Sequence, residues 1–142
     1  MKNIVLLSVL FLISFKAFSQ NKVSCADFSY LKQDVAPDLG IVIYSDDAET
    51  VWNALRLANF SRSKGDEVMI FLIGKGIDGF QNDSSKFDIA TESRTFVAGG
   101  GQILACATCV KIRGTEEVNK CTVSSLKDLY QIVSKSKKVL TF

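Results

Sequence analysis

Three short apolar runs, rich in β-branched residues, stand out along the chain: Leu39 to Tyr44 (L-G-I-V-I-Y), Glu67 to Ile73 (E-V-M-I-F-L-I) and Ile103 to Ala105. Each is too short for a helix and too continuously apolar for a half-exposed ribbon, so each predicts a buried strand. Between the first two runs, Val51, Ala54, Leu55 and Ala58 recur at helical spacing, with Trp52 and Leu57 broadening the face. Ser45-Asp46-Asp47-Ala48-Glu49 opens that helix, Asp46 and Glu49 having the spacing of a capping box. Lys64-Gly65 closes it with a cation and a C-cap glycine. A strand, a helix and a second strand make a βαβ unit, which implies a parallel sheet covered by helices.

The later chain continues the pattern. Gly74-Lys75-Gly76 reads as a turn, followed by a polar connection through Gly79, Asn82, Asp83, Ser84 and Ser85. A second helix is expected from about Asp88 to Ala98, ending in Gly99-Gly100-Gly101. Beyond the third strand, Ser124 or Ser125 caps a helix carrying Leu126, Leu129, Tyr130 and Val133, and residues 138–142 form a short last strand. The expected fold is a single α/β domain over residues 39–142, a three-layer αβα sandwich with a mainly parallel sheet. Residues 20–38, which hold the only proline, Pro37, read as an irregular lead-in.

The first nineteen residues differ from the rest. A short basic start, Met1-Lys2-Asn3, precedes an apolar run from Ile4 to Phe15, and Ala17-Phe18-Ser19 supplies the small residues of a cleavage site. This is the three-part pattern of a signal peptide, with cleavage before Gln20, and it predicts export to the periplasm or the medium. The run is shorter than the roughly 18 residues of a membrane span, and Lys22-Val23-Ser24 before Cys25 is a poor lipoprotein signal, so no stable membrane anchor is expected. Loss of Lys2 and Lys16 brings the 17 basic residues level with the 15 acids. A formally neutral mature chain has no basic stripe for nucleic acid.

Histidine is absent. That excludes Ser-His-Asp and Cys-His catalysis and removes the commonest metal ligand. Chemistry therefore falls to thiols, carboxylates, hydroxyls or the backbone. The cysteines are Cys25, Cys106, Cys109 and Cys121, and all would survive cleavage of the leader. In an exported protein two structural disulfides are one reading, with three possible connectivities.

In open α/β sheets, ligands gather beyond the carboxyl ends of the strands. Three features should meet there: Ser45-Asp46-Asp47, Gly74-Lys75-Gly76, and Cys106 at the end of the third strand. Gly-Lys-Gly lacks the spacing of a phosphate loop, though its backbone could help form a pocket. Cys106-Ala107-Thr108-Cys109 leaves three readings open: a structural disulfide, a redox pair, or half of a zinc site needing Cys25 and Cys121. At a strand end near a helix N-terminus, with Lys111 and Arg113 close by in sequence, Cys106 is expected to ionise readily.

The segments G-I-V-I-Y-S-D-D-A-E-T-V-W-N-A-L-R-L-A-N-F, K-G-D-E-V-M-I-F-L-I-G-K-G, C-A-T-C-V-K-I-R-G and K-K-V-L-T-F together resemble the DsrE/DsrF/TusD-like sulfur-relay family, over essentially the whole mature domain. Relay members carry a reactive cysteine at a strand end, seven residues before an Arg-Gly, and Cys106, Arg113 and Gly114 fall on that pattern. The resemblance implies a carrier that accepts sulfane sulfur on Cys106 as a persulfide and passes it to a partner. It also implies a homo-oligomer, a trimer or hexamer, and no cofactor or metal. Cys109, or alternatively Cys121, would be the resolving thiol. Lys111 and Arg113 would favour the thiolate, with Asp46 at the same rim. The alternatives are a periplasmic dithiol redox protein using Cys106 and Cys109, and a non-catalytic ligand-binding or assembly domain.

Overall fold

The computed structural model describes residues 36–115, 118 and 121–142. The expected leader, nearly all of the lead-in, and Cys25 lie outside them. The described chain runs β1 (Leu39–Ile43), α1 (Ala48–Ser63), β2 (Val68–Leu72), α2 (Gly76–Gln81), α3 (Ile89–Ala98), β3 (Gln102–Cys106), α4 (Ala107–Ile112), β4 (Thr122–Ser124), α5 (Leu126–Lys135) and β5 (Lys138–Thr141). The strands form one sheet in the order β4-β3-β2-β1-β5, and every neighbouring pair is parallel.

Strand order explains the layering. The chain steps from β1 to β4 in one direction across the sheet and then returns past β1 to add β5. Crossovers between parallel strands keep one hand, so a reversal of direction moves the connecting helix to the other face. Helices α1 and α3 pack against each other on one face, over a core that includes Ile41, Ile43, Leu55, Ile70, Leu72 and Phe96. On the other face, Ile132 and Leu129 of α5 meet Phe71, Leu104 and Cys106. The three-layer α/β sandwich is therefore present, with a fully parallel sheet among the described residues.

Most expected elements stand where the hydrophobic pattern put them, with three corrections. Helix α1 is capped one residue later than expected. Asp47, not Asp46, accepts the Thr50 amide at 2.7 Å and the Thr50 hydroxyl at 2.7 Å. The polar connection after Gly76 contains α2, whose Ile77 and Phe80 are buried. Gly76 permits it, because a Cβ there would collide with the Ile43 carbonyl at the end of β1. The polar stretch before α5 contains β4, too short and too polar to show a strand pattern.

Helix α5 begins at a reciprocal cap. The Asp128 carboxylate accepts from the Ser125 amide at 3.2 Å, the Ser125 hydroxyl at 2.9 Å and the Ser124 hydroxyl at 2.6 Å. These bonds, Ser124 foremost, hold the Asp128 carboxyl below the usual carboxylate range. Outward, α5 shows Leu126, Tyr130 and Val133 at exposures of 63%, 71% and 51%, an apolar stripe at helical spacing.

Two outcomes follow from the α5 layer. Phe71→Ala, at a wholly buried position under α5, should cost about 3–5 kcal/mol in a urea titration. A loss below roughly 1 kcal/mol would mean that this layer is not packed as described. Because the Asp128 pKa is lowered on folding, its contribution is present above the unfolded carboxylate value of about 3.9 and disappears as pH falls through the folded one. Asp128→Asn should therefore lower stability by about 1 kcal/mol near neutrality, and the gap from wild type should close in acid unfolding below about pH 4.

Candidate functional site

Parallel pairing delivers the strand ends to one edge. Leu72 of β2 stands opposite Ala105 of β3, which places the turn at Ile73 and Gly74 alongside Cys106 and the start of α4. The chain leaves β3 directly into α4, with Cys106 as the N-cap residue and Cys109 one turn on. From that turn, the Gly74 amide donates a hydrogen bond to Cys109 Sγ at 3.3 Å. The Gly-Lys-Gly turn thus reaches Cys109 through its first amide.

Charged pairs bind the same rim. Lys75 meets Asp46 at 3.2 Å, joining the loops after β2 and β1, and both side chains are exposed. Arg113 donates from Nε to Asp78 Oδ2 at 2.8 Å and from Nη1 to the Cys109 carbonyl at 3.4 Å. It thereby ties the last turn of α4 to α2. Asp78 had no signal in the sequence, lying in a glycine-flanked stretch far from Arg113. Gly114 follows Arg113 at φ +62°. The Gly114 amide bonds the Lys111 carbonyl at 3.1 Å and the Thr115 amide bonds the Val110 carbonyl at 3.3 Å. That is the Schellman closure of a helix, which favours glycine because a side chain is strained in this region. The Arg-Gly pair has a local structural reason: it ends α4 and anchors it.

The thiols themselves correct one expectation. Cys106 and Cys109 are free thiols, but Cys106 is only 4% exposed and belongs to the apolar cluster with Phe71, Leu104 and Ile132. Burial, reinforced by the hydrogen bond and charge of the Cys109 thiol, pushes the Cys106 thiol up. The α4 amides of Cys109 and Thr108 act the other way and are outweighed, and no capping hydrogen bond reaches the Cys106 side chain. Nor do Lys111 and Arg113 supply the expected help. Lys111 points to solvent, and the Arg113 guanidinium is held by Asp78. Cys109, half-buried, touches the apolar clusters on both faces of the sheet.

Cys121 is placed elsewhere. It is wholly buried in the core on the α1–α3 face and directly precedes Thr122, which pairs with Leu104. Cys121 therefore lies about three residues back from Cys106 along the strand direction, roughly 10 Å, and on the opposite face of the sheet. The structure brings Cys106 and Cys109 together and leaves Cys121 apart. Among the described residues, no group of three or more Cys, Asp or Glu is arranged to hold a metal ion, and no helix is long and apolar enough to cross a membrane.

The model of the DsrE/DsrF-like family matches residues 38–142, which include every element described above. The chain belongs to the DsrE/DsrF-like family. Solved structures agree on the fold. The crystal structure of the ychN protein from E. coli superposes with a TM-score of 0.65 at 23% identity, covering 75% of this chain and 99% of that one. A conserved protein of unknown function from Bacteroides thetaiotaomicron, BT1422, superposes with a TM-score of 0.62 at 23% identity, covering 74% of this chain and 95% of that one. No curated protein matches the sequence. At these identities the neighbours show the fold alone.

The raised Cys106 thiol gives a pH test. Alkylation of Cys106 by iodoacetamide should reach half its maximal rate at a pH above the ordinary thiol value. Removing the neighbouring thiol with Cys109→Ala should move that midpoint down, because two of the upward causes come from Cys109. An unchanged or raised midpoint in the variant would contradict the thiol–thiol contact.

Proposed function

We propose that this DsrE/DsrF-like protein is an exported sulfur carrier, which takes sulfane sulfur as a persulfide on the Cys106–Cys109 pair and passes it on. The observation that carries the reading is the pair itself. Cys106 and Cys109 stand one helical turn apart at the carboxyl edge of a parallel sheet, neither in a disulfide, and Cys109 accepts a hydrogen bond from a loop amide. The partners are small sulfane species or donor and acceptor proteins, and other copies of this chain. Self-association is supported by the apolar stripe Leu126, Tyr130 and Val133 on α5. Export rests on the three-part pattern of residues 1–19.

The same proximity of thiols favours a second reading, a dithiol redox protein that cycles through a Cys106–Cys109 disulfide. The two part on what happens to sulfur. Reduced protein incubated with inorganic polysulfide, trapped with an alkylating agent and analysed as peptides, should retain or release sulfur in proportion to chain concentration. Added sulfur retained on the Cys106–Cys109 peptide, in wild type or once Cys106 is replaced by serine, supports the carrier. Reversible disulfide formation with ordinary disulfides and no reaction with polysulfide supports the redox reading. Mass analysis of the N-terminus of the isolated protein tests export, which expects a chain beginning at Gln20.

A further inference from the structure

The strand-end pattern points to Cys106 as the first acceptor, but access at the site runs the other way. An incoming sulfane donor must approach a thiol in line with the S–S bond that breaks, so the acceptor sulfur needs an open side. Cys106 is 4% exposed and enclosed by Phe71, Leu104 and Ile132. Cys109 is the more open of the two, and its Sγ already accepts the Gly74 amide at 3.3 Å. That bond fixes the position of the Cys109 sulfur beside the loop after β2. Burial disfavours a Cys106 thiolate.

We propose that Cys109 is the entry thiol and the buried Cys106 is the resolving thiol, so that the site converts sulfane sulfur to sulfide and is left as a disulfide. This deepens the carrier reading above and rests on it. In the first step the Cys109 thiolate attacks the terminal sulfur of a persulfide, R–S–SH. A bond forms from Cys109 Sγ to that sulfur, the R–S to sulfur bond breaks, and R–S⁻ leaves. In the second step Cys106, giving up its proton, attacks Cys109 Sγ. The Cys106–Cys109 disulfide forms, the bond to the carried sulfur breaks, and the sulfur leaves as HS⁻, which takes up the proton. Two thiols are oxidised and one sulfane sulfur is reduced, so electrons balance within one turnover. Return to the dithiol requires an external dithiol reductant, the class of partner that an exported protein with this site would need.

Burial of Cys106 would also impose a pause between the steps. While Cys106 remains protonated in its apolar cluster, the persulfide on Cys109 persists and can be handed to an acceptor. Resolution competes with transfer, and it gains as pH rises toward the Cys106 pKa.

The test uses the reduced protein as isolated and two readouts. With limiting iodoacetamide near neutral pH, Cys109 should be labelled at least roughly tenfold faster than Cys106. With inorganic polysulfide, wild type should end as the Cys106–Cys109 disulfide and release one sulfide per chain more than Cys106→Ser, the first step expelling the shortened polysulfide in both. Cys106→Ser should retain one sulfur on Cys109, and Cys109→Ser should load at a tenth of the wild-type rate or less. Faster labelling of Cys106 in wild type, which requires no variant to fold, would overturn the order. So would Cys109→Ser loading Cys106 at the wild-type rate, an outcome that leaves the carrier reading standing. Labelling of Cys109 first, with no sulfur taken up by wild type or either variant, would overturn the carrier reading and the two-step reaction with it.

Discussion

Parallel pairing of β2 with β3 is the constraint on which the site depends. With Leu72 opposite Ala105, both strands reach their carboxyl ends at the same level, and the turn after β2 has to pass beside the start of α4. The Gly74 amide then falls within hydrogen-bonding distance of Cys109. A one-residue slip would turn Cys106 to the opposite face of the sheet and carry the α4 start away from that amide. The apolar contacts of Phe71 and Leu104 on one face, and of Ile70 and Ile103 on the other, resist such a slip because every slipped side chain would leave its own core.

Competition between burial and backbone polarity sets the character of the thiols. A strand-end cysteine capping a helix is the arrangement in which amides and the helix dipole favour a thiolate. Here the same residue is a core residue of the α5 face, and desolvation is the larger effect. Nearby cations in sequence do not alter the balance, since Arg113 is neutralised by Asp78 and Lys111 faces water. The two sulfurs therefore have different surroundings, one in the core and one at its edge.

The rim is held by interactions that position α4 rather than activate it. Arg113 links α4 to Asp78 of α2, Lys75 links the loop after β2 to Asp46, and Gly114 closes α4 by a left-handed turn. Exposed ion pairs of this kind stabilise by well under about 1 kcal/mol each. Arg113 and Gly114 fix the last turn of α4, and Lys75 holds the loop that carries the Gly74 amide.

The hydrophobic pattern by itself determined β1, β2 and β3, because a strand buried on both faces leaves a continuous apolar run, and α1, α3 and α5, because a helix with an apolar stripe leaves a periodic one; the short run at residues 138–142 gave β5, an edge strand. The pattern also located Cys106 and Cys109 at a strand end, and the resemblance of C-A-T-C-V-K-I-R-G named the family. It did not show α2 or β4. The former is a single turn and a half broken by glycines, and the latter is three half-polar residues at a sheet edge, so neither carries a full period. Tertiary structure alone decided which thiol is open. Exposure of Cys106 depends on α5 packing from a distant part of the chain, and the partners of Cys109 and Arg113, Gly74 and Asp78, each stand 35 residues away. Spacing along a chain encodes local periodicity, whereas solvent access and pKa follow from what the folded sheet brings alongside.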